Sequence, residues 1–452
     1  MKGKRVGIVS VLALAIVLVF STSAYATPPS GKNPAERVSA ERIYGHIAKL
    51  ADRDNARMTG FEGEHRAADY LVKELKRYGL KVERQTFPIL AFRSHGSEVK
   101  ITTPDEKTLE SHTFTYTPAT PKGGLTAELA DAGLGLPEDF SGDVKGKIAL
   151  IQRGEISFFE KAQNAAQAGA VGAIIYNNTE GPVNGTLGEP AQIPVVSLSK
   201  EDGEALKSQL TTGQRVEATM VADVELFPSH SQNVIGTIPA QKGPKKAKTI
   251  VVGAHYDGVD SAAANDNASG TGTLLELARV LSKEKLHHNV RVIFFGAEEV
   301  GLVGSTRYVE SLSKGERDNI AAMINMDMVG VGDTIGIMTA SETADSFVAN
   351  LAEELVKKGG HDYERYTSTR SDHVPFEEAG IPTAFLNYHP DPYYHTKEDT
   401  PDKISKENLH HMGTLVTRLT HTLADNNKLP KKKYRIEKLQ LQQIHYFESD
   451  LK

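Results

Sequence analysis

A chain of 452 residues, 24% charged and 39% hydrophobic, has the balance of an ordinary globular protein with room for two or three cores. Its formal charge of −6 argues against a nucleic-acid partner. Cysteine is absent, which excludes disulfides, thiol nucleophiles, thiolate metal sites and a lipid-modified N-terminal cysteine; tryptophan is absent too.

The first 26 residues read as a secretory signal peptide: basic Lys2, Lys4 and Arg5, an apolar run from Val6 to Phe20, then Ala24-Tyr25-Ala26 as a cleavage site. The run is shorter than the roughly 20 apolar residues of a membrane span. The sequence therefore predicts an exported, extracellular protein with no stable membrane insertion once the leader is removed.

Pro34 to Leu50 and Gly63 to Tyr78 carry helical spacing, and Ala67, Leu71 and Leu75 recur four apart in the second. Gly79 closes it, and "KVERQTFPI" (Lys81 to Ile89) alternates like a strand. These belong to a first part of one domain, 35–118. Residues 119–228 differ: short strands at Lys147 to Gly154 and Val171 to Asn178 flank one helix, among Gly- and Pro-rich turns. Without candidate ligands, this segment reads as an inserted α+β module that shapes access to a site elsewhere.

Residues 229–425 alternate strands and helices. Strands are expected at Thr249 to His255, Val290 to Gly296, Ala321 to Val329, Ile335 to Thr339 and Thr383 to Asn387. Helices are expected near Ser269 to Leu281, Ser305 to Leu312, Ala344 to Lys358 and Lys406 to Leu423. The fold class is α/β: a mostly parallel sheet with helices on both faces and a small inserted domain. Residues 426–452 are left as a basic tail whose role stays open between a packed helix, a wall-binding arm and a propeptide.

In such sheets ligands collect beyond the carboxyl ends of the strands. His255 ends "TIVVGAH", Glu298 and Glu299 follow "VRVIFFGA", Asp327 follows "IAAMINM", and His395 lies in the loop after "TAFLNYH". Asp266 joins them from "GAHYDGVDSAAANDNASG". Singly, Asp266 reads as a helix cap, the glutamates as first-turn acids and His255 as a structural histidine. Asp327, set among apolar residues, is costly unless paired or metal-bound. All of these at one sheet edge point to a metal site.

Carboxylates and imidazoles without thiolates suit zinc, with cobalt or manganese as substitutes, and a set this large suits two ions. With Asp266 as bridge, His255 and Asp327 complete one set of three, and Glu299 and His395 the other. Glu298, left over beside a ligand, is placed as general base. Asp257, two residues after His255, is placed to accept its second N–H. The small residues around them are expected to leave room for substrate.

"GAHYD", "NDNASG", "FFGAEEVGLVGS", "NMDMVG", "SDHVPF" and "YHTKEDT" resemble the co-catalytic di-zinc aminopeptidases, and 119–228 resembles a protease-associated domain. The resemblance implies the same five ligands and the same base. It further implies that Tyr394 hydrogen-bonds the developing oxyanion and that Arg370, Ser371 and Asp372 line a pocket for the substrate's α-amine. The implied substrates are peptides with a free N-terminus. Three alternatives on this fold are a glutaminyl-cyclase-like acyltransferase, a non-catalytic relative and a binding protein working through its inserted module. The first carries Trp where Tyr394 stands here, and against the others no ligand is missing.

Overall fold

The structure is a computed structural model that describes residues 33–430 apart from 53, 55, 141, 182, 184 and 244–246. The leader at 1–26 and most of the basic tail lie outside the described residues.

In chain order, α1 (Ala40–Leu50) and α2 (Glu62–Arg77) precede β1 (Lys81–Thr103), β2 (Lys107–Leu109), β3 (His112–Thr113) and β4 (Leu125–Asp131). Then follow β5 (Ile148–Gln152), α3 (Phe158–Gln167), β6 (Gly172–Tyr176), β7 (Val195–Leu198), α4 (Lys200–Thr211) and β8 (Glu217–Ile238). The last part holds β9 (Thr249–His255), α5 (Gly270–Leu281), β10 (Asn289–Phe295), α6 (Val303–Ser311), α7 (Lys314–Asn319), β11 (Ile320–Met326) and β12 (Thr334–Thr339). It closes with α8 (Phe347–Gly359), β13 (Tyr363–Thr367), α9 (His373–Glu378), β14 (Thr383–His389) and α10 (Lys406–Ala424). Local chemistry sets many of the ends. Ser157–Glu160 and Ser313–Glu316 form reciprocal capping boxes on α3 and α7, and the hydroxyls of Ser39, Ser346 and Ser405 cap α1, α8 and α10.

The strand order runs β13-β12-β14-β11-β9-β10-β8. Its centre, β14, β11, β9 and β10, is parallel throughout, while β12 and β8 pair antiparallel on either flank. Every residue of β9 and β11 is buried, which is why their sequences read as near-continuous apolar runs. Helices cover both faces; Phe376 of α9 and Tyr308 of α6 pack on Val251, Phe295 and Met323.

Beyond β8 the architecture changes. β1 and β8 pair antiparallel from Lys81↔Thr237 out to Thr103↔Glu217. At the far end β8 also pairs with β4, which leads into the parallel set β4-β5-β6-β7. Strand alternation divides the insertion's apolar residues between two faces. Ile148 and Leu150 join Val99, Ile101 and Met220 of the ribbon on one, and Ala149 and Ile151 join Ala162 and Ala165 of α3 on the other. The ribbon thus supplies side chains to the insertion's core as well as to the main sheet.

Candidate metal centre and active site

The carboxyl edge of the parallel strands collects the charged residues. His255 is the last residue of β9, Asp327 follows β11 directly, and Glu298 and Glu299 follow β10 by three and four residues. Asp266 sits between β9 and α5 in a distorted turn, with φ −108° and ψ 89°. His395 lies in the turn after β14.

Their side chains converge on two foci. His255 Nε2 lies 3.1 Å from Asp327 Oδ1 and 3.2 Å from Asp266 Oδ1. His395 Nε2 lies 3.1 Å from Asp266 Oδ2 and 3.1 Å from Glu299 Oε2. Asp266 therefore offers one oxygen to each histidine. His255, Asp266 and Asp327 form one potential metal-holding group, and Asp266, Glu299 and His395 another; Glu298 and Glu299 also form one with His255.

The electrostatics fit a cation. Burial, reinforced by Asp266, pushes Glu299 up to about 7. Burial, with Glu299 and Asp327 beside it, also holds Glu298 well above the carboxylate range. Against burial, Asp266 and Glu299 raise His395 to about 10. Also against burial, the two histidines keep Asp266 low. Glu299 Oε1 is buried without a hydrogen-bond partner among the described residues. So many carboxylates at close quarters repel one another, and a divalent cation relieves that repulsion while using the orphaned oxygen. The all-N/O donor set fits zinc, cobalt or manganese.

A buried framework sets these positions. The Asn267 amide donates to the Met326 carbonyl at 3.0 Å and accepts from the Gly270 and Met328 amides at 2.8 and 3.3 Å. It thereby fastens the Asp266 turn to the strand end that carries Asp327. A Cβ on Gly270 would lie 2.4 Å from Asn267 Oδ1 and 2.8 Å from the Met326 carbonyl, so this position requires glycine. Asn265 accepts from Gly330 N at 2.7 Å and donates to Asp391 at 2.8 Å. Asp399 accepts from the amides of Asn265 and Asp266 at 2.7 and 3.0 Å.

Arg57 clamps the same loop from behind. Its guanidinium is fully buried and donates to four carbonyls: Tyr256 and Leu50 at 2.7 Å, Ala263 at 2.8 Å and Ala262 at 3.1 Å. The small residues expected to leave room for substrate are thereby accounted for otherwise. Ala262, Ala263, Ala264 and Ala268 are buried, because backbone, clamp and α1 pack together there.

Asp257 stands 3.6 Å from His255 Nδ1, an ion-pair distance, and among the described residues that nitrogen has no hydrogen-bond partner. The hydrogen bonds of Asp257 are others: Thr59 Oγ1 at 2.7 Å and the amides of Glu298 and Glu299 at 3.2 and 3.3 Å. Of the three residues expected to line an amine pocket, only Arg370 is exposed. Ser371 is turned inward, donating to Asp327 Oδ2 at 2.8 Å and accepting from Asn325 at 2.7 Å. Asp372 is fully buried at the start of α9, where burial, with Asp257 and Asp327 adding to it, pushes its carboxyl up to about 7. The Tyr394 ring stacks on His395 with centroids 3.9 Å apart, and its hydroxyl accepts from Arg370 at 3.0 Å.

Sequence reasoning missed Arg57, Thr59, Asn265, Asn267 and Asp399. The "NDN" triplet was the one available signal, since amides flanking a ligand on both sides are placed to staple its loop.

A mixed α/β sheet with histidines and carboxylates gathered at its carboxyl edge, and a small domain inserted before them, defines a metallohydrolase architecture. The family description "Peptidase family M28" matches residues 233–420, and "PA domain" matches 117–206. Aminopeptidase YwaD of Bacillus subtilis (strain 168) is 38% identical over 412 residues, covering 87% of this chain and 86% of that protein. Among solved structures, the aminopeptidase from Aneurinibacillus sp. strain AM-1 aligns with a TM-score of 0.80 at 38% identity, covering 88% of this chain and 97% of its own. BSAP, a zinc aminopeptidase from Bacillus subtilis, aligns with a TM-score of 0.71 at 35% identity, over 88% and 98%. The chain belongs to peptidase family M28 and is a metallo-aminopeptidase with an inserted PA domain.

Proposed function

We propose that the protein is an exported aminopeptidase that uses two zinc ions and a glutamate base to remove residues from the free N-terminus of peptides. The observation that carries this reading is Asp266, whose two oxygens face two different histidines at 3.2 and 3.1 Å, each within its own set of three donors. The choice of zinc is supported by the similarity to BSAP, itself a zinc aminopeptidase. Bound at these donors, such a pair supplies Lewis-acid polarisation of a carbonyl and acidification of a water.

In this reading His255, Asp266 and Asp327 hold one ion, and Asp266, Glu299 and His395 the other. Glu298 takes a proton from the attacking water and delivers it to the departing nitrogen. Its backbone amide donates to Asp257 at 3.2 Å, so a buried carboxylate holds the main chain from which Glu298 projects. Tyr394, exposed beside His395, donates a hydrogen bond to the oxyanion; Arg370, bonded to that hydroxyl, orients it. Export rests on the leader sequence at 1–26, and among the described residues no helix is long and apolar enough to cross a membrane.

The test is metal content and turnover measured in parallel on two variants. Glu298→Gln should keep two ions per chain while the chemical step slows by about 10²–10⁴-fold. Glu299→Gln should lose metal and, with it, thermal stability. Parent protein fully active with one ion or none would sink the two-zinc reading. Metal loss in the Glu298 variant with retention in the Glu299 variant would reverse the two roles.

A further inference from the structure

The loop that carries Glu298 and Glu299 is anchored in a small apolar core of its own. Phe87, Ile89 and Ala91 of β1 bury against Ala297 and Val303, and Phe61 and Val300 pack on them partly exposed. Phe61 stands two residues from Thr59, whose hydroxyl holds Asp257 at 2.7 Å, and Val300 follows Glu299 directly. Phe227 of β8 lies opposite Ala91 in the ribbon register and meets Phe61 edge-on, centroids 5.3 Å apart at 81°. It is 37% exposed, one of three large apolar or aromatic side chains so exposed among the described residues.

Beyond this pair comes a charge. Arg93, two residues along β1 from Ala91, holds its guanidinium carbon 4.3 Å above the Phe61 ring. Its cross-strand neighbour Glu225 is engaged by His95 at 2.7 Å, and among the described residues no carboxylate pairs with Arg93. The stacking fixes the Phe61 ring, so the aromatic wall is rigid before any ligand arrives. Apolar surface of this kind, left partly exposed on the loop that carries Glu298, gains from being covered by an apolar side chain.

Position decides which side chain. Resting on the reading of Glu298 as the group that hands a proton to the departing nitrogen, the departing residue must lie on the Glu298 side of the scissile bond. Arg370 and Tyr394 occupy the other focus, at His395. We propose that Phe61, Phe227 and Val300 form the subsite for the residue that follows the scissile bond, and that it takes an apolar or aromatic side chain. Specificity for that residue thus rests in part on the ribbon between the main sheet and the inserted domain, because Phe227 belongs to that ribbon.

The experiment compares kcat/KM of the full chain for three substrates that share an N-terminal leucine: Leu-Phe, Leu-Gly and Leu-amide. Leu-amide has no residue after the scissile bond and so reports the catalytic machinery alone. Phe227→Ala, a change at an exposed position, should lower kcat/KM for Leu-Phe about tenfold, mainly through KM. Leu-Gly and Leu-amide should be unchanged, and Phe227→Leu should restore part of the loss. Equal changes on all three substrates, or none on any, would overturn the subsite. Undiminished Leu-amide turnover by Glu298→Gln would overturn the base assignment instead, so the two failures are separable.

Discussion

At the scale of single residues, the ligand candidates stood out because each is a charged group at the end of an apolar strand. The residues that hold them did not. Arg57 reads as one more surface arginine, since its partners lie at Leu50, Tyr256, Ala262 and Ala263, and only folding brings these carbonyls together. Burial lowers its pKa to about 10, so it stays cationic at neutral pH and adds a positive charge behind an acid-rich site. Arg57→Met keeps the apolar stem but leaves buried carbonyls unsatisfied, a loss on the order of 3 kcal/mol. Because those carbonyls belong to the loop before Asp266, zinc should also be surrendered at lower chelator concentration. Arg57→Lys, retaining charge and some donors, should fall between. Melting curves with and without zinc, plus chelator competition, check both parts. A Met variant matching the parent in each would remove the clamp from the account of the site.

At the scale of elements, the buried parallel strands were legible to within a few residues, because burial on both faces leaves a continuous apolar run. β13 was not: "YERYT" is an edge strand with four of five residues exposed, and nothing in its pattern demands burial. Nor was α9, six residues long, too short for periodicity to register. Yet α9 carries a buried histidine with a consequence for stability. His373 donates through Nε2 to the Ser368 carbonyl at 2.8 Å, since a carbonyl only accepts, and its ring lies 4.9 Å from Phe385. Burial lowers its pKa from 6.5 to about 4. The folded state then binds fewer protons than the unfolded state in that window, so stability rises with pH there. The contribution is complete above pH 6.5 and fades as pH falls towards 4, by on the order of 3 kcal/mol. His373→Gln, which keeps a donor for Ser368, should flatten the acid limb of the stability–pH curve of the metal-free protein. The slope between these pH values decides it, whatever constant offset the substitution adds. An unchanged slope would mean that other groups carry the acid lability.

At the scale of the whole molecule, the insertion was legible as a change of texture, but its attachment was not. β1 and β8 are long and half exposed, and only cross-strand partners 114 to 156 residues apart reveal one continuous ribbon. The described residues from Pro34 onward cluster as one compact unit, yet among the described residues the insertion's two apolar cores and the one under Glu298 and Glu299 do not cross the ribbon's middle. Both insertion cores lie within residues 99–222, while the core under Glu298 and Glu299 uses β1 only up to Ala91. Ser94 and Val224 face each other just before the bulge at Ser94/Gly96. Closing the ribbon there with a two-residue turn in place of 95–223 removes both insertion cores whole and keeps Phe61, Phe227 and Arg93. It severs the Phe92–Tyr116 ring contact and the Thr113–Ser94 and His95–Glu225 hydrogen bonds, none of which reaches the metal centre. The shortened protein should fold, bind zinc as the parent does and hydrolyse Leu-amide within about tenfold of it, as expected of a body with its own core. Its discrimination between Leu-Phe and Leu-Gly should survive, because the aromatic pair remains on the retained stretch of ribbon. Discrimination lost in a folded, zinc-replete variant would place specificity in the removed domain. An unfolded product, judged by the absence of a cooperative melt, would show instead that the insertion's cores stabilise the main sheet through the ribbon they share.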